Sequence, residues 1–151
     1  MRVVVAADHG GYPLKDVVLE AVREAGHRVT DLGTFSPESV DYPDFAAKAG
    51  LALQNGEADR AVIICGSGVG ICIAANKMKG VYAAICHDTY SAHQGVEHDN
   101  MNALCLGARI IGPALAKELV TAFLSASFAG EPRLVRRADK VKGLENQFPT
   151  K

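Results

Sequence analysis

The sequence predicts an α/β protein: a three-layer αβα sandwich around a five-stranded, parallel, Rossmann-like sheet. Short apolar runs rich in β-branched residues alternate along the chain with segments of helical periodicity. Strands that alternate with helices in this way pair in parallel through right-handed crossovers. The 151 residues are enough for one core, and no repeat, low-complexity segment or linker divides them. We therefore expect a single domain over residues 1–151.

Four of the strands are predicted where apolar residues follow one another until a glycine or a polar loop ends the run, and the second, HRVTDL, is predicted between Gly26 and Gly33. The first run, RVVVAA, opens the chain and stops at Asp8. The third run, AVIIC, stops at a cysteine followed by a glycine loop. The five strands are predicted at residues 2–7, 27–32, 61–65, 81–86 and 103–106.

The segments between the strands repeat apolar residues every three or four positions, which is typical of helices packed against a sheet. In the first of them Leu14, Val17 and Val18 share a face, and Gly26 ends the helix. Asp41-Tyr42-Pro43 is assigned to a loop, and the last six residues are expected to lack regular structure. Helices are predicted at residues 12–25, 45–54, 71–77, 89–98, 113 to about 128, and 133–145.

Composition and charge exclude several classes of function. The net charge of −1 argues against a protein that binds nucleic acid or another polyanion. The apolar runs are too short to span a membrane, and the N-terminus enters a strand without a signal-peptide pattern, so a cytoplasmic protein is expected. The four cysteines form no C-x-x-C pair, which argues against a disulfide framework and a zinc site. Cys72, Cys86 and Cys105 are expected to be small buried hydrophobic residues.

The stretch most indicative of function begins where the third strand ends. Cys65 closes that strand, a loop with glycines at 66, 68 and 70 follows, and a helix is predicted from Ile71. Glycines let backbone N–H groups converge, and a helix start adds partial positive charge, so the loop should bind an anion. The same field would favour a thiolate. We expect Cys65 to take part in chemistry and Gly66 to Gly70 to hold substrate oxygen atoms.

This loop does not fit the common phosphate-binding and nucleophile motifs. It lacks the Gly-Lys-Ser/Thr of a Walker loop. Ile71 stands where a dinucleotide fingerprint needs glycine, and also where a cysteine phosphatase loop needs arginine. Cys65 stands where a phospho-receiver domain would carry its aspartate. These mismatches favour a different enzyme that acts on a small anion.

Polar residues gather at the predicted carboxyl ends of the strands, which is where open parallel sheets bind their ligands. They are Asp8-His9, Asp41-Tyr42, Cys65-Gly66-Ser67, His87-Asp88 and the segment 98–102.

Four of these segments together closely resemble the type B ribose-5-phosphate isomerase family, which includes the galactose-6-phosphate isomerase subunits. They are DHGG at 8–11, DYP at 41–43, CGSGVGICIAANK at 65–77 and HDNMN at 98–102, and the resemblance extends from residue 2 to about residue 143. It implies the strand order 2-1-3-5-4. It also implies an aldose–ketose isomerase that interconverts ribose 5-phosphate and ribulose 5-phosphate through a cis-enediolate, with no metal and no cofactor. The implied assembly is a homodimer or tetramer with active sites at the subunit interface.

The resemblance also implies catalytic roles for individual residues. Cys65 corresponds to the base that moves a proton between C1 and C2, and Ser67 to a residue that assists proton movement between the oxygens. His98 corresponds to the residue that opens the sugar ring. Asp8 is placed to hold a sugar hydroxyl or to assist ring opening. Because Ile71 replaces the glutamate of one branch of the family, this chain falls in the cysteine branch.

The remaining family positions imply substrate contacts. Backbone N–H groups of the loop form the anion hole, Tyr42 lines the pocket, and a phosphate clamp includes two arginines four residues apart on the last helix. Either Asp99 or Asn100 contacts the sugar, and the sequence leaves that choice open. The implied substrate-binding residues are His9, Tyr42, Gly66, Gly68, Val69, Gly70, Asp99, Asn100, Arg109, Arg133 and Arg137.

The sequence leaves two alternatives open. Leu134 stands where the family often has histidine, and His87 lies in a loop that varies with substrate. The substrate could therefore be another sugar phosphate, such as erythrulose 4-phosphate, allose 6-phosphate or galactose 6-phosphate. The second alternative is a non-catalytic regulator that binds a sugar phosphate, against which the presence of a base and a ring-opening histidine argues.

Overall fold

The computed structural model describes residues 1–148, in which strands and helices alternate in the predicted order. The strands form one parallel sheet in the order β2-β1-β3-β5-β4, which confirms the α/β class and the strand order implied by the resemblance. Their bounds are Arg2–Ala7 (β1), Arg28–Asp31 (β2), Arg60–Cys65 (β3), Ala83–Ile85 (β4) and Ala103–Gly107 (β5).

The helices differ from prediction mainly at their ends. The second begins at Tyr42 because Pro43 occupies its first turn, so the assignment of Asp41-Tyr42-Pro43 to a loop is wrong for two of three residues. The third begins at Val69, directly after the left-handed Gly68. The bounds are Tyr12–Glu24 (α1), Tyr42–Gln54 (α2), Val69–Ala75 (α3), Thr89–Asp99 (α4), Pro113–Ser125 (α5) and Pro132–Gln147 (α6).

The C-terminal prediction is wrong in part. Asn146 and Gln147 belong to α6, although the last six residues were expected to lack regular structure. Residues 149–151 lie outside the described residues. Helix α6 buries only Leu134. In residues 1–148 no helix is long and apolar enough to cross a membrane.

The core consists of two layers, one on each face of the sheet. Alternation along β1 sends Val3 and Val5 to the face covered by α1, α4 and α5, and Val4 and Ala6 to the face covered by α2 and α3. Cys65 and Cys105 lie in the second layer, beneath α3. Cys86 and Cys105 are buried as predicted, whereas Cys72 is only partly buried because it lies on the exposed helix α3.

An ion pair between a buried lysine and a partly exposed aspartate connects α1 to the end of β2. The Lys15 side chain is 3% exposed, and its Nζ lies 2.9 Å from Asp31 Oδ2. The same ammonium donates to the Thr34 carbonyl at 2.5 Å, and Asp31 Oδ1 accepts from the Gly33 amide at 2.8 Å. The pair therefore holds the start of the loop between β2 and α2.

Removing one partner of this pair is expected to be costly. In Asp31→Ala the Lys15 ammonium stays buried without its carboxylate, and the unfolding free energy should fall by about 3 kcal/mol. Urea denaturation measures the change. The matched control is Asp16→Ala, an exposed carboxylate on the same helix as Lys15, which should change stability by less than about 0.5 kcal/mol. Equal losses in both variants would contradict a stabilising role for the pair.

Candidate active site

Cys65 lies at the carboxyl end of β3, in the centre of the sheet. It is 5% exposed, and its Sγ accepts a hydrogen bond from the Gly68 amide at 3.0 Å. Gly68 has a φ of 83°, a left-handed conformation that turns the chain back over the sulfur and begins α3. The predicted loop therefore surrounds Cys65, and its backbone amide at Gly68 binds the sulfur.

The tip of β5 fixes the orientation of this loop. The Ala108 amide donates to the Cys65 carbonyl at 2.8 Å, and the Arg109 amide donates to the Gly66 carbonyl at 2.9 Å. Each carbonyl shares a planar trans peptide with the next residue's N–H, which points the opposite way. The two hydrogen bonds therefore aim the N–H groups of Gly66 and Ser67.

Gly107 lets the loop approach β5 closely. A Cβ atom at this position would lie 2.6 Å from the Ser67 carbonyl carbon and oxygen, so a side chain cannot be accommodated without moving backbone. At Gly68 a Cβ atom would lie 3.1 Å from the Leu106 carbonyl carbon. Glycine at both positions is therefore part of how the loop packs on the strand.

Three loop amides are free to bind a ligand. Two of the predicted anion-hole amides have internal acceptors: Gly68 donates to Cys65 Sγ, and Val69 donates to Ser67 Oγ at 3.2 Å. Across residues 1–148, the amides of Gly66, Ser67 and Gly70 have no hydrogen-bond acceptor. The amides available to a ligand are therefore those of Gly66, Ser67 and Gly70. The Val69 amide instead stabilises the loop by binding Ser67 Oγ.

A cavity of about 320 Å³ opens in front of this loop. The Tyr42 ring covers Gly70, where a Cβ atom would lie 2.9 Å from the ring's Cζ. The Arg109 guanidinium lies over Gly66, with its Nη1 3.1 Å from the corresponding Cβ position. The cavity has the size of a small-ligand pocket. It is lined by Tyr42, Cys65, Gly66, Ser67, Gly70, Arg109 and Ile110.

Asp8 and His9 lie on the turn after β1, beside this loop. Asp8 is 7% exposed and accepts the Gly11 amide on Oδ1 at 2.9 Å, so it closes the turn before α1 and keeps Oδ2 available. His9 Nδ1 lies 3.1 Å from the Val40 amide nitrogen and 3.2 Å from the Val40 carbonyl oxygen. The backbone of Val40 therefore engages Nδ1, and Nε2 is left for a ligand.

His98 is not brought into the Cys65 cavity by this chain. It lies in the last turn of α4, where the Gln94 side-chain amide donates to its Nδ1 at 3.1 Å. Its Nε2 is 4.0 Å from Glu97 Oε2. His98 faces a separate cavity of about 520 Å³, lined by Thr89, Tyr90, His93, Gln94, Glu97 and His98.

The other predicted sugar and phosphate ligands are also apart from Cys65. Asp99 is exposed and lines a third cavity beside Tyr82. Asn100 ends α4 in a left-handed conformation with a φ of 56°. Arg133 and Arg137 are exposed on α6, and Arg133 Nε donates to Glu131 at 2.9 Å. None of these residues lines the cavity at Cys65.

Sequence reasoning missed one contributor to the site, Ile110, and gave another, His87, no defined role. Ile110 lines the cavity, and nothing in its local pattern indicates this. His87 Nε2 accepts the Gly107 amide at 3.0 Å, and burial lowers the pKa of His87, which keeps the ring neutral. Its position directly after β4 places it among the polar residues of this sheet edge in the sequence, but its bond to Gly107 has no sequence signal. Residues 1–148 contain no group of three or more His, Cys, Asp or Glu side chains that could bind a metal ion.

Comparison with known proteins confirms the resemblance. A family model described as Ribose/Galactose Isomerase matches residues 3–141. Ribose-5-phosphate isomerase B of Escherichia coli is 39% identical over 146 residues, which are 97% of each chain. D-erythrulose-4-phosphate isomerase of Pectobacterium atrosepticum is 40% identical over 132 residues, which are 86% of each chain.

A solved structure agrees with these sequence matches. The structure of ribose-5-phosphate isomerase B from Clostridium thermocellum superposes with a TM-score of 0.93 at 43% identity, covering 97% of this chain and 99% of that one. The family match, the two relatives and the shared fold all extend over most of the chain. The protein belongs to the ribose/galactose isomerase family.

Proposed function

We propose that the protein interconverts ribose 5-phosphate and ribulose 5-phosphate, with Cys65 as the base and without a metal ion. The observation that carries this proposal is the position of the Cys65 sulfur, which lies on a loop with three free amides and faces a cavity of about 320 Å³. A base and an array of N–H donors at one point are what an enediolate intermediate needs. A relative of similar length is named ribose-5-phosphate isomerase B.

In the proposed mechanism, the Cys65 thiolate takes the proton from C2 of the open-chain aldose and returns it to C1. The electron pair left at C2 forms the enediolate, whose oxygens accept hydrogen bonds from the free amides of Gly66, Ser67 and Gly70. One well-placed donor of this kind contributes about 3–4 kcal/mol to transition-state stabilisation. Proton transfer by a positioned base contributes roughly 10²–10⁴-fold. These contributions would replace a Lewis acid.

Ser67 can move the second proton, the one that passes between the two substrate oxygens. Its Oγ accepts the Val69 amide, so the hydroxyl hydrogen is free to point into the cavity. A hydroxyl both donates and accepts, which suits a transfer between O1 and O2. Asp8 Oδ2 is available beside the loop for a sugar hydroxyl.

The sugar ring and the phosphate are proposed to be held across two subunits. His98 would open the ring, since a histidine exchanges protons near neutral pH. His9, Arg109, Arg133 and Arg137 would bind the phosphate and so position the reacting carbons. Because one chain leaves His98 and both α6 arginines apart from Cys65, we propose a homodimer or tetramer whose sites form at the interface. Asp99 and Asn100 would arrive with His98.

A second candidate is an isomerase of another sugar phosphate. The relative named D-erythrulose-4-phosphate isomerase is 40% identical to this chain, about as close as the relative named for the pentose. Allose 6-phosphate and galactose 6-phosphate are the longer alternatives, and a non-catalytic regulator is the alternative without chemistry.

A cytoplasmic location, with neither nucleic-acid nor membrane partners, also stays a prediction.

The first test is isomerisation by the purified protein with a chelator present, using ribose 5-phosphate beside erythrulose 4-phosphate and allose 6-phosphate. We expect turnover of ribose 5-phosphate, and a loss of at least about 100-fold in kcat for Cys65→Ala with binding retained, because the base is gone. The matched control is Cys72→Ala, a partly buried cysteine of α3 outside the cavity, which should keep its activity.

A higher kcat/KM for another sugar would select the second candidate. Binding of sugar phosphates without turnover of any of them would contradict an enzyme and favour a regulator. Equal activity of wild type and Cys65→Ala would rule out the proposed base.

Complementation tests the shared site. Cys65→Ala and His98→Ala should each be nearly inactive, yet refolding them together should restore about a quarter of wild-type activity, because half of the dimers then contain one intact site. The control mixes Cys65→Ala with Ser67→Ala, which affect the same cavity, and should give no more than the average of the two variants measured alone. No recovery in the first mixture would contradict a site shared between subunits.

A further inference from the structure

The hydrogen bond between His87 and Gly107 lies just beyond the end of β4, where its pairing with β5 stops. Strand β4 pairs with β5 as far as Ile85 and Cys105. Two further steps along both chains reach His87 and Gly107. At this position the backbone after β4 no longer pairs with β5. The His87 imidazole Nε2 accepts the Gly107 amide at 3.0 Å instead of a backbone carbonyl.

Gly107 needs such a partner because its amide faces away from β3. In a parallel ladder, successive residues bond alternately to one neighbour and then the other. The Ala108 amide bonds to Cys65 on β3, so the Gly107 amide points to the opposite side. Gly107 is buried, and a buried N–H without an acceptor is strongly unfavourable. His87 is the acceptor that the shortened β4 does not supply.

We infer that His87 is a positioning residue, which holds the tip of β5 and thereby sets the direction of the anion-hole amides. The connection is short and consists of hydrogen bonds joined by consecutive peptide groups. His87 holds Gly107, and the next two amides of that tip bind the carbonyls of Cys65 and Gly66. Those carbonyls aim the N–H groups of Gly66 and Ser67, which bind the enediolate in the proposed mechanism. The inference therefore rests on the proposed function for its catalytic consequence.

The protonation state of His87 suits this role. Burial lowers the pKa of the ring, so at pH 7 it is neutral and Nε2 can accept a hydrogen bond. The neutral ring then carries its proton on Nδ1. His87 does not line the Cys65 cavity, so its effect on the reaction passes through Gly107 and not through contact with the substrate.

The test compares His87→Leu with His87→Gln. Leucine removes the acceptor, and kcat should fall roughly tenfold, while KM changes less than about twofold because the phosphate ligands are untouched. Glutamine offers a carbonyl oxygen at a similar reach and should restore at least about half of the wild-type kcat. The control is His27→Leu, a histidine near the opposite end of the sheet bonded to the N-terminus, which should leave kcat unchanged.

Two NMR measurements made without substrate test the role of His87 independently of the proposed function. Nitrogen-15 NMR of the wild type should show His87 with its proton on Nδ1, and amide exchange at Gly107 should be slow in wild type and His87→Gln but fast in His87→Leu. A ring protonated on Nε2, or unchanged exchange in His87→Leu, would overturn the anchoring role. Fast exchange with an unchanged kcat would overturn its link to catalysis. If the wild type turns over no sugar phosphate, the proposed function fails, while the NMR readings still decide the anchor.

Discussion

The structure of the site depends on two backbone hydrogen bonds, from the amides of Ala108 and Arg109 to the carbonyls of Cys65 and Gly66. A peptide group is planar, so binding its carbonyl also fixes where its N–H points. Neighbouring strands of the sheet thereby determine the direction of the loop's donors before any ligand is present. Such preorganised donors cost little reorganisation at the moment of reaction. Glycine at 107 is needed because the loop must approach the strand at backbone contact distance.

The division of the predicted residues follows from the same architecture. Strands β1 and β3 lie side by side in the sheet, so Asp8 and Cys65 arrive at one edge, and α2 places Tyr42 over Gly70. His98 comes from the end of α4, which packs on the other face of the sheet. Helix α6 buries little of itself against its own chain. One chain therefore brings the proposed proton-transfer groups together, while His98 and the α6 arginines lie apart from them, and the proposed assembly would bring these from a second copy.

Local patterns predict the fold and the centre of the site. Apolar runs and glycine boundaries predict every strand to within two residues at each end, and the stop at Cys65 predicts the loop around the sulfur. The start of α2 at Tyr42 is missed because a proline in that position is compatible with a loop and with a first helical turn. Local pattern does not indicate a role for Ile110, and it places His87 at the correct sheet edge without identifying its partner. Their contacts depend on how β5 turns and on where β4 ends, both of which tertiary packing decides.

The most direct test of the central claim is the fate of the C2 hydrogen. Ribose 5-phosphate carrying deuterium at C2 is incubated with the enzyme, and NMR follows cleavage of that carbon–deuterium bond, whether the label moves to C1 or to water. If Cys65 is the base, the wild type cleaves the bond and Cys65→Ala does so no faster than the uncatalysed solution, while still binding the sugar. Cleavage at the wild-type rate in Cys65→Ala would show that another group removes the proton.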